Sequence, residues 1–284
     1  MATATYDSQS TVPTDTGDLS NTTNYVGGAL AAASDTLRID TSGDRAISAG
    51  LNAYAAINLG KIIVDGFIAA IGDVAEPLTF LSCTILKFAG LGKAYFQGDA
   101  PIVQVHSTGQ TGEIHIQSDG GATPVQDFNV IYAMSGRLFI DNLAPNPTKI
   151  KDIHVFPGAE VTIAAGVAML ASARIVFHDG GVVNDFAGGD KTIEGAGGTY
   201  RLKGSASLSA ATPRTMGVRF EHLSSGDAGD LDIIGGGRLV TVDNTVVGTA
   251  GAVRRFPGGV HDLDDASSGV TATSKADVVE PIAA

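Results

Sequence analysis

The amino-acid sequence predicts an all-β protein built as a parallel β-helix, also called a β-solenoid. Three observations lead to this fold class. Short runs alternate apolar and polar residues, which is the pattern of half-buried strands. Gly, Asn and Asp separate these runs. The first strands of successive strand pairs are centred near residues 104, 130, 154 and 176, a recurrence of roughly 22 to 26 residues that matches one coil of a solenoid. The alternating apolar pairs are Val103 and Val105, Ile114 and Ile116, Leu138 and Ile140, Ile153 and Val155, Val161 and Ile163, Ile175 and Phe177, Tyr200 and Leu202, Val218 and Phe220, Leu231 and Ile233, and Val240 and Val242.

An antiparallel β-sandwich or jelly roll is the alternative fold class, because it also spaces strands about ten residues apart. Such folds use two-residue Asn-Gly or Asp-Gly hairpin turns. The sequence has few of these turns, at Asp65-Gly66, Asp119-Gly120 and Asp179-Gly180, and two of them run on into further glycine. This scarcity favours the solenoid.

The strand pattern predicts three segments. Residues 1–34 are rich in Thr, Ser, Asp and Asn and have little apolar periodicity, so we expect a flexible, extended N-terminal arm that orders against a partner. Residues 35–245 form the solenoid body. Residues 246–284 form a C-terminal cap or tail, because the pattern loosens there and the last part is acidic and rich in Ser, Thr and Ala.

The composition limits which residues can fill the core and which kinds of partner the protein can bind. Aromatic residues make up 6% of the 284 residues, Trp is absent and Gly occurs 37 times, so the interior must consist of stacked Val, Ile, Leu and Ala. The formal net charge is -12. Such a surface repels a phosphate backbone, and we therefore expect no nucleic-acid partner.

Neither export by a signal peptide nor a membrane span is expected. The N-terminus has no basic segment followed by an apolar one, and the apolar stretch of residues 57–71 is interrupted by polar residues and glycine. Cys83 is the only cysteine, so it cannot form an intramolecular disulfide, and its apolar surroundings predict a buried, inert thiol.

A group of carboxylates is the strongest candidate for catalysis. His178, Asp179, Asp185 and Asp190 lie close in sequence, and solenoid hydrolases place paired carboxylates on adjacent coils. Asp followed by Gly is also typical of tight corners, because Asp bonds to its own backbone and Gly adopts positive φ. We favour the corner interpretation and assign no catalytic residue.

The sequence gives similarly weak support for a metal site or a cofactor site. His115, His154 and His178 lie on the outward phase of their strands, where they would form a ladder if the coils were in register, but we expect solvated histidines. Asp227, Asp230 and Asp232 resemble a Ca²⁺ loop without the glycine-rich repeat of Ca²⁺-binding β-rolls. Serine nucleophile elbows and phosphate-binding loops are absent from the sequence. We expect no metal and no cofactor.

Several residues are candidates for binding a protein partner. Phe139 and Phe156 are apolar residues on the outward phase, where they contribute to an apolar strip or pack beneath a terminal segment. Arg254 and Arg255 are adjacent cations in an acidic protein, and either contact an acidic neighbour or are solvated. Tyr6 and Tyr25 are the aromatic candidates of the arm.

The composition and the arrangement of segments along the chain resemble those of bacteriophage virion proteins. The resemblance is carried by the acidic N-terminal segment, by a Trp-free solenoid rich in Gly and Ala, and by the tail. The solenoid segments concerned are IIVDGFI, PIVQVHS, EIHIQSD, DIHVFPGAEVTI and ARIVFHDGG. Within this group the chain is most similar to trimeric capsid decoration (cement) proteins and next to short tail-spike proteins.

The resemblance implies a structural role in the virion, on the exterior surface of the capsid. A homotrimer would clamp neighbouring copies of the major capsid protein, with arms reaching over the shell. It implies no enzyme activity, and it transfers no site residue because no motif matches. The alternative that it implies is a tail spike that binds or cleaves host glycans, although the chain lacks the Trp platforms on which sugars stack.

Overall fold

The structure is a computed structural model in which the chain forms coils of parallel β-strands. It describes residues 1–8, 17–107, 112–118, 128–142, 147–208, 214–240, 248–261 and 270–277. The chain divides into two compact units, Met1–Lys149 (unit 1) and Ile150–Ala284 (unit 2). The described strands of each unit pair in parallel to form coils of a β-solenoid.

The described part of unit 1 contains eight strands and one short 3-10 helix at Thr22–Asn24. The strands are β1 (Thr3–Tyr6), β2 (Thr36–Asp40), β3 (Tyr54–Asp65), β4 (Leu78–Gly90), β5 (Ala94–Asp99), β6 (Ile102–Ser107), β7 (Glu113–Gln117) and β8 (Phe128–Ile140).

The core of unit 1 consists of columns, by which we mean residues at the same register position on successive strands. Strands β1, β2, β3, β4, β6 and β8 pair in parallel in that order. Period-two alternation turns every second side chain inward, so each inward position stacks on an apolar residue of the next coil. One buried column is Ala4, Leu37, Ile62, Leu86, Val103 and Ile131, and a second is Tyr6, Ile39, Val64, Phe88, Val105 and Ala133.

A second set of parallel pairings in unit 1, within the same sheet, joins β4, β5, β7 and the end of β8. Its inward columns run through Ala94, Ile114 and Leu138 and through Phe96, Ile116 and Ile140, all of them buried. The outward residues between them form the polar and aromatic face described below.

The described part of unit 2 contains the remaining strands. They are β9 (Lys149–Val155, whose first residue closes unit 1), β10 (Ala159–Ile163), β11 (Ala168–His178), β12 (Val182–Asp185), β13 (Lys191–Gly204), β14 (Arg214–Ser224), β15 (Leu231–Ile233), β16 (Arg238–Val240), β17 (Gly248–Arg255), β18 (Val260–His261) and β19 (Val270–Asp277).

Columns also build the core of unit 2, but one of them is not wholly apolar. Val161, Val183, Tyr200, Phe220 and Leu239 are in register and buried. Two residues further along the same strands, the inward positions are Ile163, Asp185, Leu202 and His222. Asp185 and His222 therefore occupy positions that elsewhere hold aliphatic side chains.

The predicted solenoid is confirmed, and the sandwich is not formed. Every pairing between strands of the described residues is parallel within each unit, whereas a sandwich needs antiparallel ladders. Each alternating apolar pair named above is buried as expected, apart from Val242. That residue and the turn predicted at Asp119-Gly120 lie outside the described residues.

The expectation that Tyr6 and Tyr25 are available on a free arm is wrong. Strand β1 pairs with β2, and Tyr6 is fully buried in the first coil. Tyr25 is buried beside it, with the rings edge to face at 5.9 Å, and its hydroxyl donates to Leu19 O at 2.7 Å. Burial of these large rings favours an ordered coil over an exposed arm. Residues 9–16 of the expected arm lie outside the described residues.

Strands also form in the segment expected to be a cap or tail. Strands β17 and β19 continue the parallel pairing of β15, and β18 pairs with β16. The described residues of this segment therefore add coils to unit 2, while residues 262–269 and 278–284 lie outside the description. Within the described residues, no helix has the length and apolar character needed to cross a membrane.

Candidate functional site

Unit 1 carries an open, largely apolar groove with a volume of about 550 Å³. Its floor is formed by the buried residues Leu59, Gly60 and Cys83. Two large apolar side chains stand at its rim, Met1 at 80% exposed and Leu81 at 38%. Exposed apolar groups beside an apolar hollow are typical of surfaces that bind another molecule.

The groove forms where the strand register is irregular. Strand β3 shifts against β4 between Tyr54 and Asn58, and β4 shifts against β5 between Thr79 and Ser82. Such bulges bend a strand locally and interrupt the regular surface of a sheet. Gly60 is needed here because a Cβ atom at this position would lie 2.4 Å from the carbonyl oxygen of Ser34.

One side of the groove carries a short polar column. Asn58, Ser82 and Asp99 are in register on β3, β4 and β5. The hydroxyl of Ser82 donates to Asn58 Oδ1 at 2.7 Å, and Ser118 Oγ donates to Asp99 Oδ1 at 3.3 Å. The groove therefore offers apolar contact over its floor and a carboxylate at one edge.

Cys83 in the groove floor is the buried thiol that the sequence predicts. It is 3% exposed, and burial raises the pKa of the thiol to about 12. A thiol with this pKa carries almost no thiolate at neutral pH, so it contributes packing rather than nucleophilic chemistry.

Phe139 lies on the outer face of unit 1 at the end of a stack of rings. Tyr95, His115 and Phe139 are in register on β5, β7 and β8. Ring centroids are 4.4 Å apart for Tyr95 and His115 and 4.5 Å apart for His115 and Phe139, with interplanar angles of 14° and 5°. The rings lie face to face on each other, so the inner faces of this stack are covered. His115 Nδ1 also lies 2.6 Å from Asp141 Oδ2.

Ion pairs follow the same face. Glu113 lies between Lys93 Nζ at 3.1 Å and Arg137 at 2.7 Å, one coil to either side. The hydrogen bond from Lys93, with the charge of Arg137, lowers the pKa of Glu113. These contacts tie successive coils together along the outside of unit 1.

Phe156 has an equivalent position in unit 2. Its ring stacks on His178 at 4.4 Å, and His154 lies on the same histidine with 3.0 Å between His154 Nδ1 and His178 Nε2. Burial and the nearby charge of His178 lower the pKa of His154. His154 and His178 thus contact each other, as in the ladder that we did not favour, instead of lying separately in solvent, whereas His115 bonds to a carboxylate in unit 1.

The catalytic candidates separate in the structure. Asp179 is exposed with φ of 59°, as expected for a corner residue. Asp190 is exposed, while Asp185 is fully buried in contact with Lys191 and Tyr200. The three carboxylates therefore do not form an exposed acid/base pair. Asp185 was expected at a corner and instead lies in the core.

Three aspartates of unit 2 have structural roles rather than facing a common cation. Asp227 accepts from Gly229 N at 2.9 Å, and Asp230 accepts from Ala252 N at 2.8 Å. Asp232 accepts from Arg254 Nε at 2.5 Å. Across the residues that the structure describes, no cluster of three or more His, Cys, Asp or Glu side chains is arranged for a metal ion.

Arg254 and Arg255 contact acidic neighbours of their own chain. Arg254 pairs with Asp232, its register partner on β15, and this hydrogen bond raises the pKa of Arg254. Arg255 forms two bonds of 2.7 Å to Asp277, its register partner on β19. Both cations therefore link coils of unit 2.

No protein family, curated protein or solved structure matches the chain. The groove of unit 1 combines an apolar floor with exposed apolar side chains at its rim. Sequence reasoning missed it because it arises from register shifts between strands. The inward phase of Asp185, two residues after the buried Val183, did signal a charge in the core.

Proposed function

We propose that this protein is a structural virion protein that decorates a phage capsid. In this role it stabilises the capsid from outside by clamping neighbouring subunits of the major capsid protein, and it acts as a homotrimer without catalytic activity. The apolar groove of unit 1 carries the proposal.

The groove suits a polypeptide partner better than a small polar ligand. Its floor is apolar, its rim carries Met1 and Leu81, and Asp99 is the only carboxylate among the described residues that line it. A segment of a shell protein with apolar side chains would bury this surface, and a basic side chain would complement Asp99 and the net charge of -12.

The columns favour a rigid structural element. Apolar stacks inside the coils and cross-coil ion pairs outside, such as Glu113 with Arg137 and Asp232 with Arg254, make successive coils mutually dependent. Repeat architectures of this kind provide long, stable surfaces for binding. A protein that binds only the assembled shell also stabilises it by mass action.

The glycan-binding tail spike is the weaker alternative. Sugars stack on the open faces of aromatic rings, and a histidine ring already covers one face of Phe139 and one face of Phe156. The candidate acid Asp185 is fully buried. No specific observation favours glycan cleavage.

A charge placed at the groove rim tests the proposal. We expect Leu81→Glu to weaken co-sedimentation with capsids from the source phage by at least about tenfold, because an unpaired carboxylate would be buried in an apolar contact. Val74→Glu is the matched control, since Val74 is 78% exposed and does not line the groove. Equal binding by both variants, or release of sugars from host glycans by the wild-type chain, would overturn the proposal.

Light scattering tests the oligomeric state. A trimer would have three times the 28.8 kDa mass of the chain. A monomer that still binds capsids would remove the trimer from the proposal and leave the groove in place.

A further inference from the structure

A fully buried cluster in unit 2 contains an amine, a carboxyl group and a phenol. Asp185 ends β12 on the inward phase, between Ile163 and Leu202 in register. Lys191 begins β13 with a completely buried side chain, and Tyr200 on the same strand is also completely buried. Charged side chains are rarely buried to this degree, because the loss of hydration is costly.

The two oxygens of the Asp185 carboxyl group have different surroundings. Oδ1 accepts hydrogen bonds from the backbone N–H groups of Ala187 at 2.9 Å and Gly188 at 3.1 Å. Oδ2 contacts Lys191 Nζ and accepts from the hydroxyl of Tyr200. One oxygen is therefore held by a pair of backbone donors, and the other faces an amine and a phenol.

We propose that Lys191 and Asp185 form an intramolecular isopeptide bond. A proton first passes from the Lys191 ammonium group to Oδ2, the neutral amine then attacks Cγ of Asp185, the Cγ–Oδ2 bond breaks, and Oδ2 leaves as water. Two of the three protons of the lysine ammonium group leave with this oxygen, and one remains on the amide nitrogen. The reaction needs no oxidant, reductant or cofactor.

Each contact has a role in this condensation. Negative charge develops on Oδ1 in the tetrahedral intermediate, where the N–H groups of Ala187 and Gly188 stabilise it as an oxyanion hole does. The hydroxyl of Tyr200 relays a proton to the departing Oδ2 and is regenerated. Fixing the amine against the carboxyl group removes the entropy cost of bringing them together.

The environment favours the amide over the ion pair. A buried ion pair must recover the hydration energy of two charges, whereas an amide carries no net charge. Oδ1 keeps its two backbone donors after the reaction, so the surrounding structure need not change. Water released into an apolar core also has little tendency to remain and reverse the reaction.

The segment between the two residues is built to bring them together. Gly188 and Gly189 have φ of 68° and 88°, which other residues adopt only at a cost. A Cβ atom at Gly188 would also lie 2.3 Å from the carbonyl oxygen of Ser207. This glycine turn returns the chain so that Lys191 meets Asp185.

Mass spectrometry of the denatured wild-type chain tests the proposal directly. We expect a mass lower than the sequence mass by one water molecule. Trypsin should fail to cut after Lys191, giving a peptide of residues 175–201 that lacks one water and fragments poorly between Asp185 and Lys191. A full sequence mass together with free cleavage after Lys191 would overturn the proposal.

A succinimide at Asp179-Gly180 would also lose one water and needs its own control. It leaves cleavage after Lys191 intact and is opened by hydroxylamine, whereas an isopeptide bond resists hydroxylamine. Water loss that disappears with hydroxylamine counts against the cross-link.

Two variants separate the cross-link from a simple ion pair. Lys191→Arg keeps a cation at this position but cannot form the amide, so its mass should equal the sequence mass. Tyr200→Phe keeps the ring and should slow bond formation on the order of a hundredfold, measured by mass as chains synthesised in unfolded form are allowed to fold for the first time. Water loss that persists in the Lys191→Arg variant would contradict the assignment, and an unchanged rate in Tyr200→Phe would remove the tyrosine from the mechanism.

Discussion

The cores of the two units differ in where they place ionisable side chains. Among the described residues, the buried Asp, Glu, Lys and His side chains all lie in unit 2: Asp152, Asp185, Lys191, Glu221 and His222. The described part of unit 1 buries only small neutral polar groups and tyrosines beside its apolar columns. The same coil architecture is thus compatible with stabilisation by apolar stacking alone or by apolar stacking with polar networks.

Removal of Asp185 should have the largest effect on stability. We expect Asp185→Ala to lower the free energy of unfolding by about 3–5 kcal/mol, because it deletes one partner of a buried pair that includes Lys191. Chemical denaturation followed by circular dichroism measures the loss. A change below about 1 kcal/mol would show that the polar network contributes little to the stability of unit 2.

Truncation of a side chain in an apolar column of unit 1 should have the second-largest effect on stability. Ile62 is fully buried between Leu37 and Leu86, and Ile62→Ala should cost about 2–4 kcal/mol through lost burial and a cavity. Ile62→Val, with one methyl group fewer, should cost about 1 kcal/mol in the same assay. Equal losses for the two variants would mean that the column does not pack as described.

Mild acid should destabilise the protein through the polar core of unit 2. Burial lowers the pKa of His222 from 6.5, outweighing the hydrogen bond to Thr249 O. The unfolded chain therefore binds this proton more readily, and the contribution of neutral His222 is complete above pH 6.5 and declines as the pH falls below it. The midpoint of thermal unfolding should be lower at pH 5.5 than at pH 7. This difference should be smaller in His222→Gln than in His106→Gln, the control variant at an exposed site. Identical pH profiles would exclude His222 as the cause.

Surface ion pairs between coils should have the smallest effect. Arg254→Ala removes the contact to Asp232, and we expect a loss below about 1 kcal/mol because the arginine side chain is 37% exposed and screened by solvent. Arg255→Ala should cost less, since Asp277 is 60% exposed. Losses above 2 kcal/mol would indicate that these pairs act as a cooperative network.

Much of the fold could be predicted from local alternation. Pairs such as Val103 and Val105 or Ile175 and Phe177 lie inward as the period of two requires, because side-chain direction in a strand is fixed locally. Phe139 and Phe156 are outward for the same reason, although their stacking on His115 and His178 depends on register between coils.

Other features depend on contacts that local patterns do not encode. Tyr6 lies in a polar stretch with little periodicity, yet it is the first-coil residue of a buried column. The groove beside Gly60 results from shifts between neighbouring strands. Asp185 follows the inward phase of its strand, but aspartate is a residue type typical of corners, and we therefore expected it at a corner. Its partner Lys191 reaches it only because the glycine turn returns the chain.

The spacing along a column shows where the chain tolerates variation in length. The column at residues 161, 183, 200, 220 and 239 keeps its register although the intervals range from 17 to 22 residues, so corners absorb the difference. The corner at Pro157-Gly158 is exposed, and a Cβ atom at Gly158 would meet nothing within 4 Å. A peptide tag inserted there would be displayed outside the coil without altering any column, which makes this corner a suitable attachment point for labels or antigens.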